Sequence, residues 1–119
     1  MMTKPGVLFI ILSGPEEIEK ARQGLRIARN MAREKIVNEI RMLFLGPGAR
    51  LLDPDNIHYD LVRKYAAEMK EQGVKLLVCA GNLKAYNLYE KFDKSLFIAD
   101  DSTATVVEAV TQGLAVLTF

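Results

Sequence analysis

The sequence predicts an α/β fold: a three-layer α/β/α domain with a five-stranded, mainly parallel sheet. Two observations carry that prediction. The strand-like segments are continuous apolar runs rather than alternating ones, as expected where both faces of a sheet are buried. They also alternate with helix-like segments in the order βαβαβαβαβ, the pattern of successive crossover units. The clearest run is VKLLVCAGN at Val74–Asn82, in which Leu76–Ala80 lead straight into the turn signal Gly81-Asn82. The chain's single cysteine, Cys79, falls at the end of that run. Asn82 is then the expected N-cap of a short helix over Leu83–Glu90.

The remaining elements follow in order. Val7–Leu12 (VLFIIL) is the first buried strand, broken by Ser13-Gly14-Pro15. Pro15 with Glu16 and Glu17 marks the first turn of a helix over residues 15–35, acids at the positive end of its dipole. Ile18, Ala21, Leu25, Ala28 and Ala32 form its apolar stripe. Arg41–Gly46 is the second strand, and Ala49–Asn56 reads as irregular, with a turn at Asp53-Pro54-Asp55. Asp60–Gln72 is the second helix, with Leu61, Val62, Tyr65, Ala66 and Met69 inward and Gly73 as its stop. After the cysteine segment come a strand over Leu96–Ala99, a helix over Ala104–Gln112 capped from Asp100–Thr103, and a last strand, Leu114–Phe119. No internal repeat, low-complexity stretch or linker interrupts the 119 residues, so a single domain is expected over 1–119. The absence of a helix after the last strand suggests that a neighbouring subunit covers that region of the sheet.

Composition narrows the function. Sixteen basic and fifteen acidic residues leave a net charge of +1, without the basic bias of a nucleic-acid footprint. Arg22, Arg26, Arg29 and Arg33 are interleaved with glutamates, the pattern of a solvated helix face. One cysteine and one histidine argue against an internal disulfide, a cysteine cage or any metal site within one chain. The segment before Val7 is too short for a signal peptide, and every apolar stretch falls well below the roughly 20 residues of a membrane span. A cytoplasmic protein with no membrane partner is expected.

Ligands of open α/β sheets bind at the carboxyl ends of the strands. There, a dinucleotide site requires a three-glycine turn, whereas Ser13-Gly14-Pro15 has one glycine and a proline without an N–H. A flavin-phosphate loop needs several hydroxyls, and Ser13 stands alone. A phospho-receiver's carboxylates are replaced by Ser13 and Cys79, a thiol phosphatase's arginine by Ala85, and a dithiol's second cysteine by Asn82. What survives is a solitary thiol facing a helix N-terminus, whose free N–H groups and dipole favour the thiolate. Such a thiolate can carry sulfur as a persulfide or form a mixed disulfide. Equally, Cys79 can be a small buried hydrophobe.

VKLLVCAGNL, the opening strand–Ser-Gly–helix, the closing DSTATVVEAVTQGLAVLTF and the total length resemble the DsrE/DsrF-like family, which includes the TusD-type sulfur-relay subunits. The resemblance spans essentially the whole chain. It implies a single α/β/α domain, assembly as a homo-oligomer (a trimer or hexamer), and a cysteine at position 79 that accepts and hands on persulfide sulfur between donor and acceptor proteins, with no cofactor. Some family members carry a second cysteine near the first; this chain does not.

Around Cys79 the sequence suggests Ser13, Gly14, Gly81, Asn82, Asp100 and Ser102 as pocket-lining residues, with Arg50 as a source of positive charge. Asp100 or Asp101 is also the natural cap of the following helix. His58 is a candidate general base or an exposed loop residue. Tyr86 and Tyr89 read as core or subunit contacts. The reading opposed to sulfur relay is a non-catalytic homo-oligomeric module that binds a small anion or a protein partner in the same crevice.

Overall fold

The computed structural model describes residues 6–119; the expectation about the first residues of the chain lies largely outside them. Five strands, β1 (Val7–Ile11), β2 (Ile40–Phe44), β3 (Lys75–Cys79), β4 (Ile98–Asp100) and β5 (Ala115–Thr118), form one sheet in the order β4-β3-β2-β1-β5. Every pairing is parallel, with Val7 opposite both Ile40 and Ala115, Phe44 opposite Val78, and Cys79 opposite Asp100. The helices are α1 (Ile18–Glu34), α2 (Tyr59–Glu71), α3 (Ala80–Ala85) and α4 (Ser102–Thr111).

This strand order dictates where the helices go. The steps β1→β2→β3→β4 all run in one direction across the sheet, so right-handed crossovers place α1, α2 and α3 on the same face. The step β4→β5 runs back across the whole sheet, so α4 lies on the other. Side-chain alternation divides the strands accordingly. Phe9, Ile11, Met42, Phe44, Leu76 and Val78 join Ala21, Leu25, Ala28, Val62, Ala66 and Met69 in the larger core. Leu8, Ile10, Leu43 and Leu77 meet Ala109 of α4, with Val106 and Leu114 packed alongside. The second face is thus covered by one helix.

Two polar devices hold α4 in place. The Arg41 side chain, 6% exposed, is bonded through Nε to Glu39 (2.5 Å) and through its terminal nitrogens to Glu108 (3.3 Å) and Gln112 (2.6 Å). Burying a guanidinium is tolerable only with such partners. At the other end of α4, buried Thr105 donates to Asp100 Oδ2 (3.1 Å) and to the Asp101 carbonyl (3.0 Å).

Several boundaries differ from the sequence reading. Residues 15–17 form a 3₁₀ turn before α1, and Gly46–Leu52, which overlaps the expected irregular stretch Ala49–Asn56, is a second 3₁₀ segment that buries Ala49, Leu51 and Leu52. The expected helix Leu83–Glu90 instead starts at Ala80 and stops at Ala85. Asn82 is therefore not an N-cap but lies inside α3. β4 is Ile98–Asp100 rather than Leu96–Ala99, because Phe97 turns into the core against Phe44 (ring centroids 5.6 Å apart). Gly73 does end the second helix, with φ +87°.

Candidate functional site

β3 and β4 are neighbours whose onward connections leave to opposite faces, α3 to one and α4 to the other. Adjacent strands that part in this way open a crevice between their carboxyl ends, the switch point where α/β sheets bind ligands. Cys79 closes β3 and Asp100, its partner in register, closes β4. The lone thiol therefore sits at the switch point itself.

Its surroundings are built from the two following helices. Cys79 directly precedes α3, and Ser102 is the first residue of α4. The Cys79 thiol donates to Ser102 Oγ at 3.5 Å. Asp101 caps α4, accepting from the N–H groups of Thr103 (2.9 Å) and Ala104 (3.3 Å), while Asp100 Oδ1 accepts from the Asp101 N–H (2.9 Å). Both aspartates are thus occupied in shaping the start of α4, and through it the position of Ser102. Cys79 is 9% exposed. Gly81 lies next to the sulfur, where a Cβ would make an ordinary van der Waals contact with Sγ at 3.9 Å.

Asn82 acts on the side of β3 away from the crevice. Its Oδ1 accepts the Gly46 N–H at 2.7 Å, tying α3 to the turn after β2. Ser13 is buried after β1, and its N–H and that of Leu12 both donate to the Phe119 carbonyl (3.3 and 2.7 Å). Gly14 lets the loop after β1 approach the second 3₁₀ segment; a Cβ there would lie 2.8 Å from the Pro47 carbonyl oxygen. Arg50 does not offer a free charge to the thiol. Its guanidinium grips both oxygens of Glu16 (2.7 and 2.6 Å) and lies 5.5 Å over the Tyr86 ring. That bond raises the Arg50 pKa and holds Glu16 below the usual carboxylate value. His58 precedes α2, its N–H donating to Asn56 Oδ1 (2.7 Å); the recorded partner of the thiol is Ser102, not His58.

Of the wall next to the Cys79–Ser102 contact, sequence reasoning singled out Ser102 but not the other residues. Leu45, Ser102, Thr103, Val106 and Val107 line an open, mostly apolar cleft of about 290 Å³. Ser102 belongs both to this cleft and to the contact with Cys79. The available signal was the charge-poor stretch Thr103–Val107, which reads as a cap residue and the first turn of a helix. Among the described residues no group of three or more His, Cys, Asp or Glu is placed to hold a metal ion, and no helix is long and apolar enough to cross a membrane.

Fold and site together define a parallel three-layer α/β/α protein with a single cysteine at its switch point. The chain belongs to the DsrE/DsrF-like family, whose profile matches residues 6–119. Three solved structures share the fold. The ychN protein of E. coli aligns with a TM-score of 0.80 at 13% identity, covering 99% of this chain and 100% of its own. MTH1491 of Methanobacterium thermoautotrophicum, described as of unknown function, gives 0.76 at 17% identity, covering 97% and 99%. BT1422 of Bacteroides thetaiotaomicron, a conserved protein of unknown function, gives 0.76 at 14%, covering 95% and 94%. No curated protein matches the chain.

Proposed function

We propose that this protein is a sulfur-relay subunit of the TusD type, in which Cys79 carries sulfur as a persulfide between a donor and an acceptor protein. The observation that supports this most is the place of the thiol: at the switch point, against Ser102 Oγ and beside an open cleft that Ser102 also lines. In loading, the Cys79 thiolate attacks the outer sulfur of a donor persulfide. A new S–S bond forms at Sγ, the donor S–S bond breaks, and its electron pair leaves on the donor's inner sulfur. Delivery is the same exchange with an acceptor thiolate attacking the outer sulfur held on Cys79. No net oxidant, reductant or cofactor is consumed. A hydroxyl at the position of Ser102 can turn to donate once the sulfur is anionic. The reading includes a cytoplasmic setting, where thiols stay reduced, and a homo-oligomeric assembly, a trimer or hexamer.

The low exposure of the thiol favours a second reading, a non-catalytic module that binds a small anion or a protein partner in the same crevice. One experiment separates the two. The protein and its Cys79→Ser variant are incubated with a persulfide donor and their intact masses taken. Relay predicts a gain of about 32 Da, reversed by reductant and absent from the variant. A folded wild-type protein that gains no sulfur and resists alkylation excludes relay and leaves the binding module.

A further inference from the structure

We propose that a cavity between α4 and the outer strands β3 and β4 binds a small α-amino acid with an aliphatic side chain, held as its zwitterion. Arg41, Lys75, Asp100 and Glu108 supply the charged part of the wall, and Leu77 and Ile98 the apolar part. The volume of about 220 Å³ lies below the roughly 300–1,000 Å³ of sites for drug-sized ligands, so the occupant is small. The wall is not a loose group of surface charges. The Arg41 side chain is 6% exposed, and Thr105, which also lines the cavity, is 4% exposed.

The charge pattern selects the ligand. Arg41 is answered by Glu39 and Glu108, and its bonds to these and to Gln112 still leave N–H donors over. What remains is one cation and one carboxylate. Lys75 and Asp100 enter no ion pair among the described residues. They stand at opposite ends of the cavity. Lys75 opens β3 beside Arg41, its partner in register, whereas Asp100 lies level with Cys79 at the end of that strand. The rise between those two levels is about 13 Å. The four-carbon stem of Lys75 spans part of it, and the rest suits one ammonium–carboxylate pair with a hydrogen bond of about 3 Å at each end. A simple anion would satisfy Lys75 and meet Asp100 with like charge; a simple cation would do the reverse. A zwitterion satisfies both, its carboxylate on Lys75 and a spare Arg41 N–H, its ammonium on Asp100. Asp100 is held for this by the Thr105 hydroxyl and the Asp101 N–H, neither of which cancels its charge. The aliphatic side chain rests on Leu77 and on Ile98, which is 54% exposed, and removes that apolar area from water.

The test is titration of the full chain, followed by backbone amide shifts, with L-valine, isovalerate (no ammonium) and isobutylamine (no carboxylate). The expected result is a saturable shift with L-valine at Leu77, Ile98 and Thr105, with either analogue at least about tenfold weaker, the effect of one lost charge-assisted hydrogen bond. Lys75→Met should weaken L-valine by a similar factor and leave isobutylamine unchanged, since Lys75 reads the carboxylate alone. Lys75 is exposed and unpaired among the described residues, so this variant should fold; if it does not, Ile98→Trp, which fills the cavity from the edge strand, takes its place and should abolish the shift. No saturable shift, isovalerate or isobutylamine binding as well as L-valine, or a folded variant that binds L-valine like wild type each overturns the proposal. None of these readouts involves sulfur on Cys79, so the proposal stands or falls separately from the relay.

Discussion

Asn82 Oδ1 accepts the Gly46 N–H at 2.7 Å, joining the helix that follows the cysteine strand to the turn that follows its neighbour. A side chain expected to cap its own helix instead holds two strand ends in register. Asn82→Ala removes the acceptor and leaves a partly buried N–H without its partner. We expect a loss of about 1–2 kcal/mol in urea unfolding.

Gly48 marks the closest backbone approach at this rim. A Cβ there would fall 1.9 Å from the Ile11 carbonyl oxygen, at the end of the first strand. Neither backbone can yield without moving the sheet. Gly48→Ala is expected to cost at least about 3 kcal/mol or to prevent folding, seen as a lowered Tm or loss of soluble protein.

Ser102 gives a sharper test of the site than of the fold. Its hydroxyl is the partner of the thiol, but Asp101 and Thr105 anchor the start of α4 without it. Ser102→Ala should unfold within about 1 kcal/mol of wild type. Persulfide loading of Cys79 should slow by about 3- to 10-fold, the rate equivalent of one lost hydrogen bond. Stopped-flow loading with a persulfide donor checks this.

Acid should weaken the Arg41–Glu39 pair and with it the fold. The bond from Arg41 holds the Glu39 carboxyl below its ordinary value of 4.5. A depressed carboxylate contributes stability that is present above that value and is lost as the pH falls through the lower, folded one. Wild type should therefore exceed Glu39→Gln in stability at pH 7, and the gap should close progressively below about pH 4.5. Urea midpoints measured from pH 7 to pH 3 decide it. A gap independent of pH would show that Glu39 acts through packing alone.

The positions that were legible in the sequence were those governed by local composition. VLFII and the LLVC that follows Lys75 had to be buried strands because they offer no polar face, and the Ile18–Ala32 spacing could serve only a helix with one buried side. Gly73 signalled its left-handed turn because few other residues adopt it cheaply. The extent of α3 was not legible. Gly-Asn is a common turn signal, and only the bond from the distant Gly46 makes Asn82 useful inside a helix. Arg50 was open for the same reason: its partner, Glu16, lies 34 residues away.

By itself the sequence determined the class of fold, the number of strands and the end of the strand on which the cysteine stands, because burial period, turn residues and crossover length are written into contiguous residues. The tertiary structure alone decided that β4 lies beside β3 and β5 beside β1, at opposite edges of the sheet. The reversal sends α4 to the face that α1–α3 leave free. It places Cys79 opposite Asp100 at the switch point and sets Ser102 against the thiol. Those relations join residues more than twenty positions apart through strand order, and strand order is selected by packing both faces of the sheet at once rather than by any local preference.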